Sequence, residues 1–87
     1  MAQKRLKHVF TATGNSDNLH FQGYFSLSLS GFGAGTVKVQ RKVNGQWKDV
    51  DSYTANAEDE GFDGAGHEYR FNCSAYTSGS LLCILEQ

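Results

Sequence analysis

Apolar and polar residues alternate along most of the chain, which is the pattern of strands that bury one face. The alternation is clearest where Phe25, Leu27 and Leu29 take every second position between serines. No stretch places apolar residues at helical spacing behind a capping residue, so we expect little or no helix. The candidate strands are residues 6–13, 18–22, 23–30, 36–43, 46–54, 67–76 and 80–86.

Turn residues separate these candidates. Asn44-Gly45 predicts a tight hairpin, because both residues accept the positive φ that such turns require. In the strand that follows, Trp47 and Tyr53 share parity whereas Val50 does not, which indicates either a β-bulge or an aromatic side chain on the outer face.

The alternation also selects the residues expected in the core. The last strand, residues 80–86, is apolar on both faces, which predicts that it lies centrally in a sandwich or is covered by another chain. The predicted core residues are Phe25, Leu27, Leu29, Val37, Val39, Tyr69, Phe71, Leu82 and Ile84.

Short strands joined by turns predict an all-β fold, a small antiparallel β-sandwich or squashed barrel of about seven short strands. With 87 residues the chain forms one domain over 1–87, in which residues 1–8 are expected to be a basic N-terminal arm. A chain this short buries only a little over about 60% of its unfolded surface. We therefore expect a homo-oligomer, in which association supplies further burial.

The formal net charge is only −1, so the overall charge does not favour binding to nucleic acid. The charged residues are nevertheless unevenly distributed along the chain. Basic residues crowd the N-terminus, and acidic residues crowd residues 56–66, which we expect to be the longest loop. Such charge runs are usually solvated, and the alternative is a contact with a partner or a second subunit. The candidate contact residues are Lys4, Arg5, Lys7, Glu58, Asp59, Glu60, Phe62 and Asp63.

The residue types for catalysis are present without the spacing that catalysis needs. The three histidines lie far apart, and no serine sits in a nucleophile elbow, so no catalytic residue is assigned. Asn56, Glu58 and Glu60 match early positions of a calcium loop, but His67 stands where the bidentate glutamate belongs. We expect no metal and no cofactor.

Cys73 and Cys83 would face each other if residues 77–79 closed a three-residue hairpin. The first ten residues contain no apolar signal region and no stretch is long enough to span a membrane, so synthesis in a reducing cytoplasm and no membrane partner are expected. In that compartment two reduced thiols are favoured over a disulfide.

A run of motifs resembles small β-sandwich proteins encoded among the structural genes of tailed bacteriophages. The run covers residues 23–87 and consists of FSLSLSG (25–31), GTVKVQR (35–41), NGQWKDV (44–50), YT (53–54), YRF (69–71) and AYTSG (75–79). The resemblance implies a virion component whose partners are other virion proteins, such as the major capsid or tail protein. A capsid decoration protein that binds and stabilises the assembled particle is the expected function.

The alternative is a head- or tail-fibre module that binds host surface glycan. Outward-facing aromatic rings stack on sugar rings, and Trp47 and Tyr53 are the candidates for that role. Sandwich domains also use tryptophan and tyrosine as ordinary core residues, so both interpretations stay open at this stage.

Overall fold

The computed structural model describes residues 4–87, and all of its regular structure is antiparallel β-sheet. The hydrogen-bonded strand order is β1-β4-β2-β3, and no helix occurs within the described residues. This confirms the predicted all-β fold. The four strands are β1 (Arg5–Phe10), β2 (Gly14–Val43), β3 (Gln46–Tyr53) and β4 (Ala57–Glu86).

The two 30-residue strands, β2 and β4, bend repeatedly and pair with each other in several separate segments. The pairing divides the sheet into two four-stranded layers that enclose one core. In spatial order, the first layer contains residues 5–10, 81–86, 23–30 and 57–63. The second layer contains residues 14–21, 67–75, 36–43 and 46–53.

The order of these segments is that of a jelly roll. When the eight segments are numbered along the chain, the first layer reads 1-8-3-6 and the second reads 2-7-4-5. This is a sandwich built from two Greek keys. In the first layer, β1 and residues 57–63 form the two edges. In the second layer, residues 14–21 and β3 form the two edges.

The acidic stretch predicted as the longest loop is instead an edge strand. Residues 57–63 pair with residues 23–29, and only residues 64–66 form the bend that follows. The sequence pattern concealed this strand because its inward positions hold Ala57, Asp59 and Gly61, none of which is a large apolar residue.

One cluster of side chains fills the space between the layers. The prediction was wrong for Leu82 and Ile84, which lie half-buried on the outer face. The register explains the reversal, because Leu85 pairs with both Leu6 and Leu27 and shares their inward direction. Phe25 packs against the edge of the cluster. The buried apolar residues are Leu6, Phe10, Phe21, Leu27, Leu29, Val37, Val39, Tyr69, Phe71, Cys73, Leu81, Cys83 and Leu85.

Two predicted turn features are confirmed. Asn44 and Gly45 adopt φ values of 52° and 77° and join β2 to β3 in a tight hairpin. The ladder between these strands shifts register opposite Val39 and Gln40, which leaves Val50 as the extra residue of a β-bulge. The bulge therefore places Trp47 on the outer face and Tyr53 on the inner face, although the two residues share parity.

The expected hairpin around residues 77–79 does not form. Residues 75–79 pair with residues 32–36, after which the chain crosses to the other layer. Cys73 therefore pairs with Val37 in the second layer, whereas Cys83 pairs with Leu29 in the first. Both thiols are free and buried, as expected for reduced core cysteines.

Candidate functional site

The outer face of the first layer brings together most of the charged residues predicted at contacts. Residues that pair across an antiparallel ladder point to the same side of the sheet, so the register defines this face directly. Three rows cross it. They are Arg5, Glu86, Ser26 and Glu60, then Lys7, Ile84, Ser28 and Glu58, and then Val9, Leu82 and Ser30.

The type of side chain changes in order from one edge of this face to the other. Basic residues occupy the β1 edge and acidic residues occupy the edge at residues 57–63. Between them lie a column that is apolar at Leu82 and Ile84 and acidic at its Glu86 end, where Glu86 is paired with Arg5, and a column of serines. Because serine is small, a groove of about 680 Å³ runs over Ser26 and Ser28 between the acidic edge and Ile84.

The N-terminal residues are held by specific contacts. Arg5 forms an ion pair with Glu86 at 2.8 Å, and the Lys4 ammonium donates a hydrogen bond to the His20 carbonyl at 2.8 Å. Residues 5–8 of the predicted basic N-terminal arm belong to β1 and complete the first layer. Residues 1–3 of that arm lie outside the described part of the chain.

The acidic residues do not form a single surface. Glu58 and Glu60 are exposed on the outer face, whereas Asp59 lies on the other side of the same strand. There the Tyr53 hydroxyl donates to Asp51 at 3.0 Å and lies 3.2 Å from Asp59. Burial raises the pKa of Tyr53, and the two carboxylates raise it further.

Asp63 does not lie on the predicted contact surface. It is 6% exposed and its carboxylate closes the bend at residues 64–66. One oxygen accepts from the backbone N–H groups of Ala65 and Gly66, and the other contacts His67 Nδ1 at 2.5 Å and the Tyr69 hydroxyl at 2.8 Å. Burial by itself would raise the pKa of Asp63, but these hydrogen bonds lower it to about 2. The Asp63 carboxylate is therefore engaged within the chain, which does not support the prediction that it contacts a partner.

Phe62 is exposed, and its ring packs at a tilt of 53° against Tyr24, a second exposed aromatic residue that was not among the predicted site residues. Its ring centroid lies 4.7 Å from that of Tyr24, and the two residues are 62% and 78% exposed. Tyr24 takes the outward parity of residues 23–30, and that parity was the available signal. The pair extends the acidic edge of the outer face with apolar surface.

Trp47 and Tyr53 do not form a joint stacking platform for sugar. The Arg70 guanidinium lies 4.3 Å from the Trp47 ring centroid, and Lys42 lies 5.9 Å from it. Tyr53 is half-buried, and its hydroxyl bonds to the aspartates described above. The Trp47 ring therefore contacts a cation on the outer face, whereas Tyr53 packs against the core.

The outer face of the second layer is internally bonded. Gln40 accepts a hydrogen bond from Arg70 at 2.9 Å and donates to Asp49 at 2.8 Å, and Lys38 pairs with Asp49 at 3.3 Å. The hydrogen bond from Gln40 lowers the pKa of Asp49. In contrast, Ser26, Ser28 and Ser30 form no side-chain hydrogen bond within residues 4–87. The outer face of the first layer therefore carries a column of unengaged serines.

A small cavity opens between the layers beside Tyr53. Its volume is about 80 Å³, and its apolar lining includes Phe25, Leu27, Val39 and Leu85. That volume holds a few water molecules or a methyl-sized group, far less than a sugar ring needs.

Over residues 4–87, no three histidine, cysteine, aspartate or glutamate side chains are grouped closely enough to hold a metal ion. Asn56, Glu58 and Glu60 lie at or along the extended edge strand instead of in a calcium-type loop. The same residues include no helix that is long and apolar enough to cross a membrane. No family model, curated protein or solved structure gives a significant match to this chain.

Proposed function

We propose that this protein is a non-enzymatic structural subunit of a bacteriophage virion, a decoration-type protein that binds other virion proteins on the assembled particle. The outer face of the first layer carries the proposal. It combines exposed Lys7 and Glu58 edges with half-buried Leu82 and Ile84, and its serines are unengaged. Protein interfaces combine apolar centres with polar rims in this way.

Two further observations support the proposal. The motif run over residues 23–87 resembles small sandwich proteins of phage structural genes. The strand order is a jelly roll, an architecture that viral capsid proteins use and that lectins and cupins use as well. Because one architecture serves many functions, the topology supports the proposal only by analogy, and the exposed face supplies the physical argument.

Purified virions of the phage that encodes this chain provide the test. We expect quantitative mass spectrometry to detect the chain at a fixed ratio to the major capsid or tail protein. We also expect immunogold labelling to place it on the particle surface. Absence of the chain from purified particles that are fully infectious would overturn the proposal.

A binding experiment then connects the function to the outer face. Particles that lack the chain are incubated with purified wild-type protein, with Ile84→Asp, or with Lys48→Asp as a control on the exposed surface of β3. We expect wild type and Lys48→Asp to bind equally and Ile84→Asp to bind at least tenfold more weakly. Equal binding of all three proteins would assign attachment to another surface.

The exposed Tyr24–Phe62 pair supports a second candidate, a fibre-type module that binds host surface glycan. The two rings are accessible and adjacent, which Trp47 and Tyr53 are not. A glycan array probed with wild type and with Tyr24→Ala separates the candidates. Binding that is lost in Tyr24→Ala favours the glycan module, and no binding by either protein favours the purely structural role.

A further inference from the structure

We infer that the outer face of the first layer pairs with the same face of a second copy of this chain, around a two-fold axis parallel to the strands. The inference concerns the free chain in solution and does not rest on the proposed virion function, because a virion protein on the particle would take the place of the second copy on this face. It rests on the order of the four columns, which are basic, apolar, serine and acidic across the face.

Symmetry determines how two such faces meet. Consider a two-fold axis that runs parallel to the strands, between the column of Leu82 and Ile84 and the serine column. In the second copy this rotation reverses the order of the columns, while each row still lies opposite the same row of the first copy. The basic column of each copy then faces the acidic column of the other. An axis across the strands would instead place like charges together, which is unfavourable. Of these two face-to-face arrangements, only the first is complementary.

The rows make the match specific. Lys7 and Glu58 belong to the same row, so Lys7 of one copy lies opposite Glu58 of the other. Arg5 and Glu60 share the adjacent row and meet in the same way. Within residues 4–87, Lys7, Glu58 and Glu60 form no ion pair in the single chain. Because the axis is two-fold, each of these contacts occurs twice.

The two faces are complementary in shape as well as in charge. Ile84 and Ser28 are paired neighbours, so the same rotation places Ile84 of each copy over the serine groove of the other. Apolar side chains then occupy the groove from both sides, and Leu82 meets Ser30 in the next row. Stacked sheets normally pack about 10 Å apart with strands within about 30° of each other, a geometry that this arrangement permits.

The size of the face sets the expected strength. Four strands spaced about 4.8 Å apart and six residues of about 3.4 Å each cover about 400 Å² per copy in plan. This is about half of a standard interface, so we expect a weak dimer that depends on concentration and salt.

Sedimentation velocity on the full chain tests the inference, over about 1 to 500 µM, the range in which weak interfaces assemble. We expect a monomer–dimer equilibrium that weakens at high ionic strength. Lys7→Glu and Glu58→Lys should each raise the dissociation constant at least tenfold. The double variant with both changes should restore it to within about threefold, because the swapped charges again face each other. Lys48→Glu, an equal charge reversal on β3, should leave it unchanged.

Cross-linking keeps the test independent of variant stability. A carbodiimide that joins amines to carboxylates is applied to a mixture of ¹⁵N-labelled and unlabelled wild-type chains. We expect a mixed-label peptide pair that joins Lys7 to Glu58. A monomer throughout the concentration range, a dimer that both single variants leave intact, a double variant that fails to dimerise, or cross-links that join other faces would each overturn the inference.

Discussion

The Asp63 carboxylate accepts a hydrogen bond from the Tyr69 hydroxyl at 2.8 Å, inside the bend that connects an edge strand of the first layer to the second. The same carboxylate binds two backbone N–H groups of the bend. Burial raises the pKa of Tyr69 to about 12, and its bond to Asp63 contributes to that shift. One side chain therefore holds the turn and anchors a core tyrosine.

This relationship predicts a specific acid sensitivity. The pKa of Asp63 is about 2 in the folded protein, below its usual value of 3.8, so its ionised form stabilises the fold at higher pH. This contribution to the free energy of unfolding amounts to about 2 kcal/mol. It is complete above about pH 4 and is lost as the pH falls through about 2. In urea titrations at several pH values, Asp63→Asn should remove this component of the pH dependence.

Asp17→Asn is the matched control, because Asp17 is exposed and its carboxylate forms no hydrogen bond or ion pair within residues 4–87. It should retain the wild-type acid dependence. If Asp63→Asn retained it as well, the assignment of the acid transition to Asp63 would be incorrect.

Gly61 is required by the position of the Phe25 ring. A Cβ at Gly61 would lie 2.4 Å from Phe25 Cζ and 2.6 Å from Cε1, and the ring is also held by Tyr69 at 5.2 Å between centroids. Gly61→Ala should therefore lower the free energy of unfolding by about 1–3 kcal/mol, the usual cost of overpacking. Thermal and urea denaturation measure this loss.

Gly64→Ala provides the control, since its Cβ would meet only the exposed ring of Phe62, at 3.3 Å. It should cost less than Gly61→Ala. Combining Gly61→Ala with Phe25→Leu should cost less than the sum of the two single changes, because the smaller side chain relieves the clash. Strict additivity of the two changes would argue against the contact.

The Arg70–Trp47 contact predicts a measurable change in fluorescence. Arg70→Ala should expose the indole ring, shift its emission to longer wavelength and destabilise the protein by about 1 kcal/mol, which is typical of a cation–π contact near the surface. Trp47 is the only tryptophan, so its emission is unambiguous. Lys48→Ala, on the same strand, should leave the emission unchanged, and an equal shift in both variants would contradict the prediction.

The cysteines should be unreactive in the folded protein. Burial raises the pKa of Cys83 to about 12, with a further contribution from Cys73, and burial also raises the pKa of Cys73. Because the thiolate is the reactive form, labelling by an aromatic disulfide reagent at neutral pH should be slow and should follow global unfolding. Two thiols should react at once in denaturant. Rapid labelling under native conditions would show that one cysteine is accessible.

Local sequence patterns were sufficient for the features that depend on neighbouring residues. Alternation identified the strands around Leu27, Val39 and Phe71 and placed these residues in the core. Asn44-Gly45 predicted the hairpin, and the parity of Trp47, Val50 and Tyr53 indicated either a bulge or an outward-facing aromatic residue in the strand where the bulge at Val50 occurs. Each of these depends on side-chain periodicity or on backbone preference over a few residues.

The candidate site was less predictable because its residues are distant in sequence. Lys7 and Glu58 were identified as charged contact candidates, but only the register places them in one row with Ile84 and Ser28 between them. The sequence also grouped Asp63 with the exposed acids, because nothing local distinguishes a buried carboxylate that closes a bend from a solvated one.

The sequence by itself determined an all-β chain with alternating strands and a tight hairpin, since these follow from local periodicity and turn preference. Only the tertiary structure decided which face of the last strand is inside. Leu81, Leu82, Cys83, Ile84 and Leu85 are all apolar, so periodicity has no preference between the two faces. The inner face of this strand is set by its pairing with β1 and with residues 26–30, in which Leu6 and Leu27 point inward. Leu82 and Ile84 therefore lie on the outer face.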